Sequence, residues 1–262
     1  MKLKSVEVFG LALALLSSSS GLAYIPPTHF IIKTLAAKHT GFKGVRVKST
    51  VTAYEGEKAV STRFQETTFF DPSSGSLRSV AIDDAGKELY IAERKGSELL
   101  TGDALLFEPN GETLGKILRA HGVPVQVGSL STGEEQSNEW LTRWNAAIAW
   151  VIGFEKPNQK WKAQLWIEKD TFLPLRILLD QRENPTELRF DNYRFYREFP
   201  FPRAVMLVNK AGTALRAETS EVTLINEAKE SKSTGRAGFT DAGNSAPSSL
   251  RDLVRQYYEA VR

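Results

Sequence analysis

The chain contains no cysteine among its 262 residues, which excludes disulfides, thiol nucleophiles and zinc-thiolate sites together. Histidine is nearly as scarce, with three. His29 and His39 fall on one expected helix, where positions ten apart lie ~15 Å from each other, too far to share a metal ion. His121 closes a second helix, and all three read as surface or helix-end residues. No serine stands in a G-x-S-x-G elbow, and no serine, histidine and acid follow a hydrolase order. Phosphate loops, dinucleotide fingerprints and calcium loops are missing as well. The adjacent carboxylates Asp83-Asp84 and Glu134-Glu135 flank glycine-rich turns, where solvated acids are ordinary. No catalytic residue, metal or cofactor is therefore expected. The formal net charge of +3 is too slight an excess to speak for nucleic acid, and no such partner is expected.

Long apolar runs are also lacking. The longest opens the chain: Lys2 and Lys4 precede Val8-Phe9-Gly10-Leu11-Ala12-Leu13-Ala14-Leu15-Leu16, followed by four serines and Gly21-Leu22-Ala23. A charged start, a short apolar stretch and a small-x-small site make the layout of a secretory signal peptide. A bilayer span needs about 20 apolar residues, and the serines interrupt this run well before that. Residues 1–23 are expected to be removed after Ala23, giving an exported, periplasmic, soluble product without an acyl anchor.

What is present is period-two alternation. Val45, Val47, Val51 and Ala53 alternate with Arg46, Lys48, Thr50 and Thr52, so one face of that strand is buried. Further strands are expected at 60–65, 77–82, 87–93, 143–153, 163–168, 172–179, 188–196, 204–208 and 213–224, with a hairpin at Gly212 and a bulge near Ser220. In 143–153 both faces are apolar, which predicts a central strand. Helical spacing marks a short segment from Thr28, its expected cap, to Gly41. A second helix spans 111–121, where Asn110 caps the stripe Leu114, Ile117 and Leu118 before Gly122 and Pro124. Residues 228–247 are small, polar or charged and predict a flexible linker. Residues 248–262 then carry a helical stripe of Leu250, Leu253, Val254, Tyr257, Tyr258 and Val261, with Ser249 facing Asp252 as a capping pair.

The strands are rich in large apolar residues, among them Phe64, Phe70, Trp144, Trp150, Trp166 and Phe190. A sheet that curls into a half-barrel leaves an inner face wide enough for an apolar ligand. Alternation assigns Ile148, Trp150, Leu165, Ile167, Leu175 and Ile177 to one concave apolar surface, with Trp166 turned away. Helix 111–121, through Leu114, Ile117 and Leu118, is expected to cover the open side as a lid. Arg176, Arg189, Arg194, Arg197 and Arg203 are expected as exposed rim charges. The stripe of 248–262 must be docked, in this molecule or on a partner.

The segment Leu165-Trp166-Ile167-Glu168-Lys169-Asp170-Thr171-Phe172-Leu173-Pro174-Leu175-Arg176 resembles the LolA/LolB-like family of periplasmic lipoprotein-sorting proteins, in which a strand, an acidic turn and an "lPlR" strand recur. The resemblance continues through Phe190-Asp191-Asn192-Tyr193-Arg194 and Phe199-Pro200-Phe201-Pro202. It implies an α+β, mostly β fold, in which a curled antiparallel sheet, an incomplete β-barrel, is covered by short helices over residues 24–227. It further implies a non-enzymatic carrier of lipoprotein acyl chains or lipid toward the outer membrane, working with inner- and outer-membrane components. A monomer is expected. The alternative on the same fold is a periplasmic sensor or assembly adaptor that binds a protein through the C-terminal helix.

Overall fold

The computed structural model describes residues 26–56, 58–125, 139–153, 163–179, 186–225 and 237–261. The expected cleavage site and the first part of the expected linker lie outside the described residues. Helix α1 (Thr28–Ala37) is followed by strands β1 (Gly44–Glu55), β2 (Lys58–Asp71), β3 (Ser76–Ile82) and β4 (Glu88–Lys95). Helices α2 (Thr101–Phe107) and α3 (Gly111–Ala120) come next, and then strands β5 (Glu139–Trp144), β6 (Ala147–Gly153), β7 (Gln164–Glu168), β8 (Pro174–Leu179), β9 (Thr186–Tyr196), β10 (Phe199–Asn209) and β11 (Gly212–Ile225). A three-residue strand β12 (Ala237–Phe239), a short helix α4 (Asp241–Asn244) and helix α5 (Ser248–Ala260) complete the chain.

All twelve strands join one antiparallel sheet in the order β12-β4-β3-β2-β1-β11-β10-β9-β8-β7-β6-β5, which does not close into a barrel. Its inner face is the alternating apolar set: Val45, Val47 and Val51 of β1 and Phe64 and Phe70 of β2 are buried while Arg46, Lys48, Arg63 and Gln65 are exposed. The sheet is strongly curled. β2 and β10 are three strand spacings apart, ~14 Å on a flat sheet, yet the ring of Phe107 lies 5.4 Å from that of Phe70 and 5.5 Å from that of Phe201. One phenyl group from α2 therefore bridges both. The four helices α1, α2, α3 and α5 all contribute to the core on this inner side. Asn110 caps α3 as the sequence predicts, its side-chain oxygen accepting from the N–H groups of Glu112 and Thr113. Helices α1 and α3 cross so closely that a Cβ on Gly111 would stand 2.9 Å from the Cα of Lys33.

The β10–β11 hairpin turns at Gly212, whose φ of 112° needs a residue without a side chain. The bulge is also where the alternation shift places it: Lys48 pairs with Glu221 and Ser49 with Thr219, leaving Ser220 unpaired.

Several expectations differ from the structure. Residues 143–153 are not one strand, because Asn145 adopts a left-handed φ of 52° and folds the chain into the β5–β6 hairpin. Trp144 pairs with Ala147 and so joins Ala149 and Val151 on the outer face, away from Trp150. β6 is second from the sheet edge rather than central. Helix α2 has no periodic signal in the sequence: it is only seven residues long and buries its polar Thr101 and Asp103 together with its apolar residues. Pro27, not Thr28, occupies the cap position of α1, and Pro247 that of α5, which has no Ser249 side-chain cap. Residues 237–244 of the expected linker are ordered as β12 and α4. Backbone pairing to β4 and the Thr240 hydroxyl, bonded to the Glu88 carbonyl, hold them there without an apolar stripe.

Candidate functional site

Helix α5 lies against the inner face of the sheet. Leu253, Val254, Tyr257, Tyr258 and Val261 are all at most 4% exposed, and Leu250 is partly buried against the same core. Polar Arg255, Gln256 and Glu259 occupy the outward side, so the amphipathic period decides the docked face. Tyr257 meets Phe64 edge-on at 5.5 Å, and Tyr258 stacks on Tyr90 of β4 at 4.6 Å. The Arg94 guanidinium donates to the Tyr258 carbonyl at 3.1 Å, neutralising one of the open carbonyls at the helix end. At that same end Val261 packs against Gly102, the second residue of α2, where a side chain would collide with its carbonyl oxygen. The helix thus fills the concavity from β4 to the first turn of α2.

Beneath α5 the apolar wall is interrupted by polar side chains. On β2 the inward positions are Phe64, Glu66, Thr68 and Phe70. Glu66 is 1% exposed and accepts a 2.8 Å hydrogen bond from the Tyr257 hydroxyl. Ser49 stands opposite it on β1, and Thr68 shares a 2.8 Å hydrogen bond with Ser79 of β3. Glu66 was not among the candidates drawn from the sequence. The signal was present in the period: a carboxyl two residues from Phe64 and four from Phe70 must share their buried face.

Of the six residues assigned to a concave surface, Trp150, Leu165, Ile167 and Ile177 belong to the main core, whereas Ile148 is partly buried and is not part of it. Leu175 is a correction. Trp166 pairs with Arg176 and Ile167 with Pro174, so the intervening Leu175 sits in a bulge and packs on the outer face with Ala149, Val151 and Trp166. Trp166 does turn away. Leu114, Ile117 and Leu118 of α3 are buried in the main core. Arg176 is not a rim charge: it is 9% exposed, its guanidinium lies 3.9 Å from the centre of Trp144 and 4.0 Å from that of Trp166, and Glu187 accepts from it at 3.1 Å. Flanked by two indole faces, it is held by cation–π contact and one shared carboxylate, which Arg189 also reaches at 2.9 Å.

Outside α5 a cleft of about 730 Å³ opens toward solvent. Its floor is Leu179, Leu207 and Ala260, and its sides carry His121, Lys210, Asp252, Arg255 and Glu259. Asp83, a rejected catalytic candidate, accepts from the N–H groups of Ala85 and Lys87 and shapes its turn. Among the described residues no group of three His, Asp or Glu side chains could hold a metal, and no helix is long and apolar enough to cross a membrane.

No protein-family model matches the sequence, and no curated protein matches it. Solved structures do resemble the fold. A proposed outer membrane lipoprotein-sorting protein domain from Vibrio parahaemolyticus superposes with a TM-score of 0.47 at 12% identity, covering 78% of this chain and 94% of that one. A LolA superfamily protein from Nitrosomonas europaea gives 0.48 at 9% identity over 78% and 96%. A DUF1329 family protein from Desulfovibrio piger gives 0.39 at 9% identity over 76% and 94%. In fold, the chain is similar to these lipoprotein-sorting, LolA superfamily and DUF1329 structures, each at 12% identity or less.

Proposed function

We propose that this chain is a non-enzymatic periplasmic carrier that binds acyl chains of lipoproteins or lipids for transfer to the outer membrane, with α5 as the occupant of the binding surface when no cargo is present. The observation that carries this reading is the seat of α5. An amphipathic helix covers the inner face of an open sheet along β2 and β4, with four buried side chains and Val261 buried at its C-terminal cap. A helix of 13 residues is marginal by itself in water, so its order depends on that docking. An acyl chain offers the same apolar surface and would compete for the same wall. Trp150, Leu165, Ile167 and Ile177 extend the wall beyond α5, and Leu114, Ile117 and Leu118 hold α3 over it as a lid.

The absence of cysteine makes the test clean. In a Val254→Cys variant the one thiol is buried under α5 and should label slowly. Adding a fluorescent fatty acid that binds should raise the labelling rate at least several-fold. Binding with unchanged labelling would refute displacement of α5 and favour the adaptor reading, in which the stripe is kept for a partner protein.

A further inference from the structure

Resting on the reading that α5 stands in for cargo, we infer that the cargo carries a hydroxyl group within its apolar part, and that Glu66 selects for it. The buried surface of α5 is not purely apolar. At its centre the Tyr257 hydroxyl donates to Glu66, which is 1% exposed and lies on the sheet between Phe64 and Phe70. A plain acyl chain taking the place of α5 would remove that donor and offer nothing in return. A buried carboxyl oxygen that gives up a hydrogen bond without a replacement is penalised by the lost solvation of that oxygen. A hydroxylated chain would restore the bond at the same point.

The surroundings fit a hydroxyl. Ser49 stands opposite Glu66 and the Thr68–Ser79 hydroxyl pair adjoins it, so the inner wall has a narrow polar band crossing β1, β2 and β3. Phe64 on one side and Phe70 on the other are fully buried, which confines the polar contact to the middle of the ligand. A wall meant only for hydrocarbon would have no use for a carboxyl at this position, since burying one against apolar groups is costly. The chemical class is therefore an amphiphile whose chain bears an internal hydroxyl, distinct from its headgroup.

The test compares hexadecanoic acid with a hexadecanoic acid hydroxylated in mid-chain, each displacing a fluorescent fatty acid from the full chain. Wild type should prefer the hydroxylated acid by ~10- to 100-fold, the range expected when a buried polar group keeps or loses one hydrogen bond. Glu66→Leu should bring the ratio to about one, while Glu66→Gln, whose amide oxygen still accepts, should keep part of it. Tyr257→Phe loosens α5 without altering the wall, so it should tighten binding of both acids and leave their ratio unchanged. Glu66→Gln is close in shape to the wild type and serves as the readout if Glu66→Leu fails to fold. Equal binding of both acids by wild type would overturn the role of Glu66 and leave the carrier reading standing, as would a preference that survives Glu66→Leu. Failure of wild type to bind either acid would overturn the carrier reading and this inference together.

Discussion

The carbonyl oxygen of Val261 occupies the space that a side chain on Gly102 would need, so the last residues of the described chain and the first turn of α2 are fitted to one another. Gly102→Ala improves helix propensity but forces the end of α5 outward. The variant should lose about 1–3 kcal/mol of stability, the usual cost of overpacking a core. In the Val254→Cys background it should also label faster without any ligand. Urea denaturation and labelling kinetics read the two effects.

His39 is fully buried, one ring nitrogen bonded to the Glu108 carbonyl, the other without a partner among the described residues, and its ring beside Phe199. Burial lowers its pKa from 6.5 to about 4. Between those values the unfolded chain binds the proton and the folded chain does not, so stability rises with pH across this window and is lost as pH falls from 6.5 toward 4. The full effect is about 3 kcal/mol at ~1.4 kcal/mol per pH unit. His39→Leu should remove it, so the urea midpoint of the wild type should fall relative to that of the variant as the pH goes from 7.5 to 5.5 to 4.5.

Arg176 is the centre of the outer cluster. Arg176→Ala strips the guanidinium from both indole rings and leaves Glu187 with Arg189 alone, a loss expected at about 2–4 kcal/mol. Arg176→Lys should recover little, because an ammonium has no plane to lay against two indoles. Chemical denaturation measures both, and tryptophan emission should shift to the red in each variant as water reaches the rings.

Asn110→Ala removes the acceptor for two amide hydrogens at the start of α3. It should destabilise the protein by about 1 kcal/mol. Amide exchange should accelerate at Glu112 and Thr113 first, while the buried stripe at Leu114 and Leu118 stays protected.

Strands with one wet face were legible in the sequence, because Val45, Val47 and Val51 on β1 alternate with charged residues and the structure buries that set. The cap and the stripe of α3 were legible for the same reason, as was the docking of α5. Segments without a polar face were not. α2 is buried on every side, and the β5–β6 hairpin turns at Asn145 with apolar residues on both faces, so neither left a period to read. Leu175 was misplaced because a bulge shifts the register by one, and a single step sends a side chain through the sheet. Arg176 was expected in water because sequence reasoning cannot see two indoles closing over it, and Glu66 was passed over although its spacing from Phe64 marked it as buried.

The tail is fastened to the sheet before α5 begins. β12 pairs with β4, and the backbone carbonyl of Leu89 leaves no room for a Cβ on Gly243, so α4 is fixed in place. Only the few residues after Asn244 separate that anchor from the first turn of α5, a reach of ~14 Å at most. A released α5 therefore searches a very small volume, and its local concentration is on the order of millimolar or higher. Any ligand competes against that fixed concentration, so the measured dissociation constant exceeds the intrinsic one by the inverse of the fraction of molecules with α5 undocked. On the carrier reading proposed above, a shift in how firmly α5 sits, from a single substitution at Tyr257 or Gly102, would tune cargo uptake and release without touching the proposed cargo wall.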